Sequence, residues 1–248
     1  MAANLSGRID MQRWMFVTDT HGDMIDPAAR DAAIRFRDAF QPEVRIDGGD
    51  VFDFRALRRG ASDTEKAEAT KGDVAAGESW LRDYAPTQML WGNHDARILD
   101  AIQDTEGDKR EYYKLLYNGI MDQLELIGCE SFPYDIERGV FKYGDTAFLH
   151  GYGASMHVAY QLSMEYGNAV MGHVHQFQES PGRRLDRTVG RTCGCLCRLD
   201  MGYNRRRTAS LRWSQGFLWG WKTNDDKLHI QTLRPIDGTW HIPTEFPI

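Results

Sequence analysis

Apolar residues in this chain come in short runs, and most runs stop abruptly at a small or polar residue. Gln12 to Thr18 is the first and ends at Asp19. Val44-Arg45-Ile46 leads into Gly48-Gly49-Asp50, Thr87 to Trp91 into Gly92-Asn93-His94, and Thr146 to Leu149 into His150. Runs this short, bounded by turn-forming residues, predict strands. Glu130 to Tyr134, Val140 to Tyr143 and Ala169 to Met171 read the same way, the last ending at Gly172-His173.

Between several of these runs the apolar period lengthens to that of a helix. Pro27 to Phe40 predicts one, with Asp26 as N-cap and Pro27 at the first helical position. Ser62 to Tyr84 is polar and rich in Ala and Glu, and predicts a helix interrupted near Gly72 and Gly77. Ala96 to Ile127 predicts two helices broken around Gly107, and Ser155 to Tyr166 a further helix closed by Gly167. Later, Ser210 to Trp221 and Lys227 to Leu233 read as strands. Helices alternate with strands early and strands dominate late, which is an α/β pattern. With no internal repeat and no low-complexity linker, residues 1–248 are expected to form a single domain.

Composition changes this picture in three places. Hydrophobic residues make up 42% of the chain, enough for a large core. Neither a transmembrane-length run nor a signal-peptide core between Met1 and Trp14 is present, so the expectation is a soluble, cytoplasmic protein without a membrane partner. Net charge of −6 argues against binding polyanions over the whole surface. Yet nine arginines face two aspartates between Pro181 and Arg212, which makes that window a candidate rim for nucleic acid. Trp213, Trp219 and Trp221 are candidate stacking surfaces, although Trp219 and Trp221 alternate as residues of a core strand do. Cys193, Cys195 and Cys197 alternate along an apparent strand, but their spacing is not that of a zinc knuckle. Buried reduced thiols, together with the solitary Cys129, are the favoured reading.

The candidate chemistry lies where the runs end. Asp19-Thr20-His21, Gly49 to Asp53, Gly92 to Asp95, His150-Gly151 and Gly172 to His175 each place a metal-ligating residue beside a small or polar one. Asp-x-His on an extended segment points both side chains to one side. The two oxygens of Asp50 offer separate lone pairs, so it could bridge two ions, and Asn93 offers an amide oxygen. Sites in open α/β sheets form at the carboxyl ends of strands, so five strands would deliver these residues to one crevice. Two ions about 3.5–4 Å apart can share a hydroxide and clamp a phosphorus atom. His157, inside a predicted helix, and His229 and His241, in the late strands, have no such partners; Asp23 reads as a turn residue.

Taken in order, DxH, GDxxD, GNHD, H and GHxH resemble the calcineurin-like metallophosphoesterases, across about two thirds of the chain from Asp19 to His175. The resemblance implies a four-layer α/β/β/α sandwich. It implies that Asp19, His21, Asp50 and His175 hold one divalent ion, and that Asp50, Asn93, His150 and His173 hold the other. Mn²⁺ is the leading ion, with Fe, Zn, Ni, Co and Mg compatible with the same donors. His94 would assist the leaving group, oriented by Asp53 or Asp95, with Asp53 favoured because it is the second acid of GDxxD. Arg97 and the run Arg205, Arg206 and Arg207 are candidate substrate contacts. The Ser/Thr phosphatases of this superfamily carry an arginine directly after GDxxD; here Phe54 stands there, which points toward the bacterial and phage-type phosphoesterases. A phosphodiesterase, with nucleic acid as a candidate substrate, is therefore expected. The alternatives are a phosphomonoesterase acting on protein or a small metabolite and, disfavoured by the intact ligand blocks, an inactive binding module. The insertion from Ala56 to Tyr84 reads equally as a lid or a dimer surface, and nothing in the sequence indicates an oligomeric state.

Overall fold

The computed structural model describes residues 11–58, 60–61, 70–182, 185, 187–200 and 208–246. Its frame is two sheets. In the first, β1 (Gln12–Val17), β2 (Val44–Asp47), β3 (Gln88–Leu90) and β4 (Glu130–Phe132) run parallel. On the free side of β1, β10 (Phe217–Lys222) and β11 (Leu228–Leu233) are added antiparallel, giving the order β11-β10-β1-β2-β3-β4. The second sheet has the order β5-β6-β7-β9-β8. Its strands are β5 (Val140–Tyr143), β6 (Thr146–Leu149), β7 (Ala169–Met171), β8 (Gln178–Pro181) and β9 (Val189–Thr192), with β6, β7 and β9 parallel.

The alternation along β1 explains the layering. Trp14 and Phe16 point into the space between the sheets, where they meet Ile46, Leu90, Leu218, Phe148 and Val170. The Trp14 and Phe148 rings pack edge to face with centroids 5.4 Å apart. Met15 and Val17 point the other way, onto α1 (Pro27–Phe40), α2 (Thr70–Tyr84), α3 (Arg97–Asp104) and α4 (Gly107–Leu126), meeting Phe36, Trp80, Leu81 and Ile98 among others. On the outer face of the second sheet Leu149 and Met171 pack against Val158 and Leu162 of α5 (Val158–Tyr166). The result is the α/β/β/α sandwich, with helices on the outer face of each sheet and the edge strands β8 and β11 partly exposed. None of the described helices is long and apolar enough to cross a membrane.

Local sequence sets most of the boundaries. Asp26 caps α1 by accepting from the backbone N–H groups of Ala28 and Ala29, and Gln41 ends it in the left-handed region. The expected break around Gly107 separates α3 from α4. Four expectations need correction. α2 runs unbroken through Gly72 and Gly77: two glycines cost a helix about 1 kcal/mol each, and burial of Val74, Trp80, Leu81 and Tyr84 offsets this. The part of that stretch from residue 62 to 69 lies outside the described residues. α5 starts at Val158 rather than Ser155. Thr208–Arg212 forms a 3-10 turn, so the late strand begins only at Phe217. The alternating cysteines are not on a strand. Cys193 joins the core between the sheets, whereas Cys195 and Cys197 form a separate buried cluster. The three thiols therefore do not converge; all four cysteines are free and buried.

Candidate metal centre

Five parallel strands, three from the first sheet and two from the second, end at one place. β1 delivers Asp19 and His21, β2 delivers Asp50 and Asp53, β3 delivers Asn93 and His94, β6 delivers His150, and β7 delivers His173 and His175. The chain turns sharply at each end to do so. Asp19, His21, Asp50, His173 and His175 all have positive φ, between 53° and 66°. Asp and His tolerate this region better than most residues, but each such position still costs on the order of 1–3 kcal/mol and persists only where the surroundings enforce it. Gly92 shows the crowding: a Cβ there would lie 2.1 Å from Asp50 Oδ1.

The donor atoms form two groups that share Asp50. In one, His175 Nε2 lies 3.1 Å from Asp19 Oδ1 and 3.2 Å from His21 Nε2, and His21 Nε2 lies 3.9 Å from Asp50 Oδ2. In the other, His150 Nε2 lies 3.4 Å from Asp50 Oδ2 and 3.1 Å from Asn93 Oδ1, with His173 adjoining. The second nitrogen of three of these rings is engaged elsewhere. His150 Nδ1 donates to the Gly48 carbonyl at 2.8 Å, His21 Nδ1 to Asp53 Oδ1 at 3.0 Å, and His175 Nδ1 faces Cys197 Sγ at 3.7 Å. Donation through Nδ1 leaves the Nε2 lone pair pointing into the site, which is how metal-ligating imidazoles are held.

His94 stands beside both groups. Its Nε2 is 3.9 Å from Asp50 Oδ2, and its Nδ1 is 2.6 Å from Asp53 Oδ1. Asp53 thus receives two imidazoles on one oxygen, while its Oδ2 is buried without a hydrogen-bond partner among the described residues. Asp95, the other acid considered for orienting His94, is placed differently. Its carboxylate accepts the backbone N–H groups of Asp50, Phe52 and Gly92, each at 2.8 Å, and so ties the β2 and β3 ends together.

Burial and neighbouring charge compete here. Burial alone would raise Asp50, but the imidazoles of His150, His94 and His21 hold it well below the usual carboxylate range. Burial also opposes ionisation of Asp19, which His175 nevertheless brings down to about 2. For His150 burial works against the charged ring, and Asp50 and Asp19 overcome it, pushing the group up to about 9. His173, half-buried and facing His150, falls to about 4 through partial burial and that neighbour. His94 is lowered by burial, with Asp50 opposing. Among the described residues Asp19 and Asp50 pair only with imidazoles, so two fully buried carboxylates lack a permanent cation. Donors around one ion at about 2.0–2.2 Å lie about 3 Å apart, close to the spacings found. The mixture of carboxylate, amide and imidazole suits divalent first-row metals. The residues present fit two such ions.

The remaining expected contacts fall into three places. Arg97 reaches the site, but its Nη1 donates to the Asp53 carbonyl at 2.6 Å. Phe54 is buried and stacked on Phe52, and Arg55 is held bidentately by Asp23 at 2.7 and 2.8 Å. Arg205, Arg206 and Arg207 lie outside the described residues, as do Arg183 and Arg184. Arg191 of the same window pairs with Glu179. Trp219 is in the helix-side core, Trp221 stacks on His229, and Trp213 packs against the His175 ring at 4.2 Å. Two participants had no sequence signal. Cys197, against His175, is brought in by the segment after β9. Asp73, on α2, accepts the N–H groups of Asp53 and Phe54.

No family model and no curated protein matches this sequence. Solved structures similar to it include a predicted phosphoesterase from Streptococcus pneumoniae, 12% identical, covering 91% of this chain and 98% of that one with a TM-score of 0.37. Another is Vacuolar Protein Sorting 29 from Cryptosporidium parvum, 10% identical, covering 94% and 96% with a TM-score of 0.48. A third is a phosphoesterase from E. coli, 11% identical, covering 90% and 98% with a TM-score of 0.39. What places this chain is its own strand order and the residues gathered at its strand ends.

Proposed function

We propose that this chain, a calcineurin-like metallophosphoesterase by its two-sheet fold and its strand-end ligands, hydrolyses phosphodiesters with two divalent ions bound. The position of Asp50 carries this reading: one carboxylate stands between the His21 and His175 group and the Asn93, His150 and His173 group. Asp19, His21, Asp50 and His175 would hold one ion, and Asp50, Asn93, His150 and His173 the other. When bound, the ions supply an activated water and neutralise charge on the phosphoryl group. Mn²⁺ is the first ion to test, because oxygen donors are mixed with imidazoles.

The chain's own residues do the rest. His94 presents Nε2 toward the shared carboxylate while Asp53 holds Nδ1, so the ring keeps one orientation. In that orientation it delivers a proton to, or hydrogen-bonds, the departing oxygen. Diester over monoester is favoured by the guanidinium groups. A monoester carries nearly two negative charges at neutral pH and gains most from a free arginine, whereas a diester carries one. Here the position after Asp53 is a buried phenylalanine, Arg55 is committed to Asp23, and Arg97 is turned onto a backbone carbonyl. A polynucleotide is one substrate of this class, and the nine arginines between Pro181 and Arg212 are the sequence feature that favours it.

With Mn²⁺ added, bis-p-nitrophenyl phosphate should turn over faster than p-nitrophenyl phosphate, and Asp50→Ala should abolish both. Turnover of the monoester alone would overturn the diester assignment. No turnover of either ester by protein shown to hold two metal equivalents would overturn the hydrolase.

A further inference from the structure

The insertion ending in α2 has a chemical role that its composition does not reveal. Asp73, 3% exposed, points its carboxylate from α2 into the loop that follows β2. One oxygen accepts the Asp53 N–H at 3.0 Å and the other the Phe54 N–H at 2.6 Å. From the opposite side the carboxylate fills the space left by Gly22, where a Cβ would lie 1.7 Å from Asp73 Oδ1. Gly22 directly follows the ligand His21, so one side chain of α2 is wedged between the loops after β1 and β2.

Asp53 is held from several sides, with Arg55 Nη1 3.6 Å from its Oδ2. Its N–H goes to Asp73, its carbonyl accepts from Arg97 Nη1 at 2.6 Å, and its Oδ1 receives His21 and His94. The two imidazoles do not depend on it equally. The backbone N–H groups of both residues are anchored on Asp50, but the His21 ring has a second hold, its Nε2 lying 3.2 Å from His175 Nε2. The His94 ring, among the described residues, is hydrogen-bonded only to Asp53. A shift of the Asp53 backbone therefore reaches His94 first.

We propose that Asp73 is a positioning residue of this active site: delivered by the inserted helix, its carboxylate fixes the Asp53 backbone and through it the His94 imidazole that serves the leaving group. This rests on the hydrolase reading above and on the role given there to His94. Asparagine at position 73 would offer one acceptor and turn an N–H₂ group toward the second backbone N–H, so the clamp loses one bond and gains a repulsion. The insertion then acts neither as a lid nor as a dimer surface at this residue, but as a brace for the general acid.

The test uses two diesters that differ only in the leaving phenol, methyl p-nitrophenyl phosphate and methyl phenyl phosphate, with full-length protein and Mn²⁺. Nitrophenolate departs without a proton, whereas phenol, with a pKa near that of tyrosine at about 10, needs one. In Asp73→Asn, kcat on the phenyl ester should fall about tenfold or more, kcat on the nitrophenyl ester should fall far less, and KM should hold. Metal content should stay at two equivalents. His94→Gln run alongside should show the same selectivity. Equal losses on both esters in Asp73→Asn, with selectivity kept in His94→Gln, would overturn the clamp. Absence of selectivity in His94→Gln itself, or no hydrolysis by the unsubstituted protein, would instead overturn the reading on which it rests. If Asp73→Asn fails to fold, hydrogen exchange on the unsubstituted protein decides. The Asp53 and Phe54 amides should exchange as slowly as those of β1, and fast exchange would overturn the proposal.

Discussion

At the scale of single residues, His94 and Asp53 form the unit with the sharpest consequences. Asp53 is buried, yet hydrogen bonds from His21 and His94 hold it below the usual carboxylate range. It therefore stays an acceptor for both rings at any working pH. Replacing His94 by Gln removes the proton donor and leaves Asp19, His21, Asp50 and the second group in place. Activity on a poor leaving group should fall about 10²–10⁴-fold, with bound metal unchanged by elemental analysis. His94 Nε2 does lie within reach of the His21 and Asp50 donors. Loss of one metal equivalent in His94→Gln would therefore make His94 a ligand and sink its role as acid. The five positive-φ donor residues show why such a site is not built from arbitrary residues. Asp and His are among the few side chains that both tolerate the left-handed region and bind metal.

At the scale of elements, the strands place the chemistry and the helices stabilise the strands. Among the described residues no α1 side chain is hydrogen-bonded to the donor groups, but its Phe36 and Phe40 pack on Phe217 and Trp219 of β10. Its start depends on Asp26, whose Oδ1 accepts two backbone N–H groups at 2.9 and 3.0 Å. Asp26→Ala should lower stability by about 1 kcal/mol in urea unfolding and leave kcat unchanged. A change in kcat would mean that α1 communicates with the site by a route the contacts do not show. α2 behaves otherwise: the Ala- and Glu-rich composition that makes it a helix was visible, whereas the inward turn of Asp73 was not. Helical period tells which residues share a face, but not which loop that face meets.

At the scale of the whole molecule, buried charge sets how stability responds to pH and metal. Burial pushes Asp47 up to about 7, against hydrogen bonds from Trp80 and Gly49. A carboxyl raised in the folded state favours folding fully below its unfolded value near 4, and that contribution is lost as pH rises through about 7. His150, raised to about 9 in spite of burial, adds a loss of the same sign between its unfolded value near 6.5 and pH 9. Asp19, brought down to about 2, acts in the opposite sense only below pH 4. Through these groups metal-free protein should lose stability from about pH 4 to pH 9, with a slope of up to about 1.4 kcal/mol per pH unit for each; His173, lowered to about 4, opposes them between pH 4 and pH 6.5, and Asp73, raised to about 6 by burial, adds to them below pH 6. Asp47→Asn should flatten the part between pH 4 and pH 7; an unchanged slope in denaturant titrations would refute the assignment to Asp47. Chelation at pH 7.5 should lower the thermal midpoint and Mn²⁺ restore it, because ligand at about 100 times its Kd adds about 2.7 kcal/mol. A midpoint indifferent to chelator would show that the donor groups do not hold metal in the folded protein.

The chain by itself determined the strands that end in the candidate donors, the helix from Pro27 to Phe40, and the residue types at the five strand ends. Each of these is a local matter: period, capping residues, and the small or polar residue that stops an apolar run. Only the tertiary structure decided what meets across the chain. It set Asp95 onto the backbone N–H groups of the β2 and β3 ends, Cys197 against His175, Asp73 beneath Asp53, and Cys193 apart from its two neighbours in sequence. It also carried α2 through two glycines and turned Thr208–Arg212 into a 3-10 turn. The physical reason is that these pairings join segments distant in sequence. Their energies come from burial and hydrogen bonds formed only after the sheets have stacked, and no short-range pattern records them.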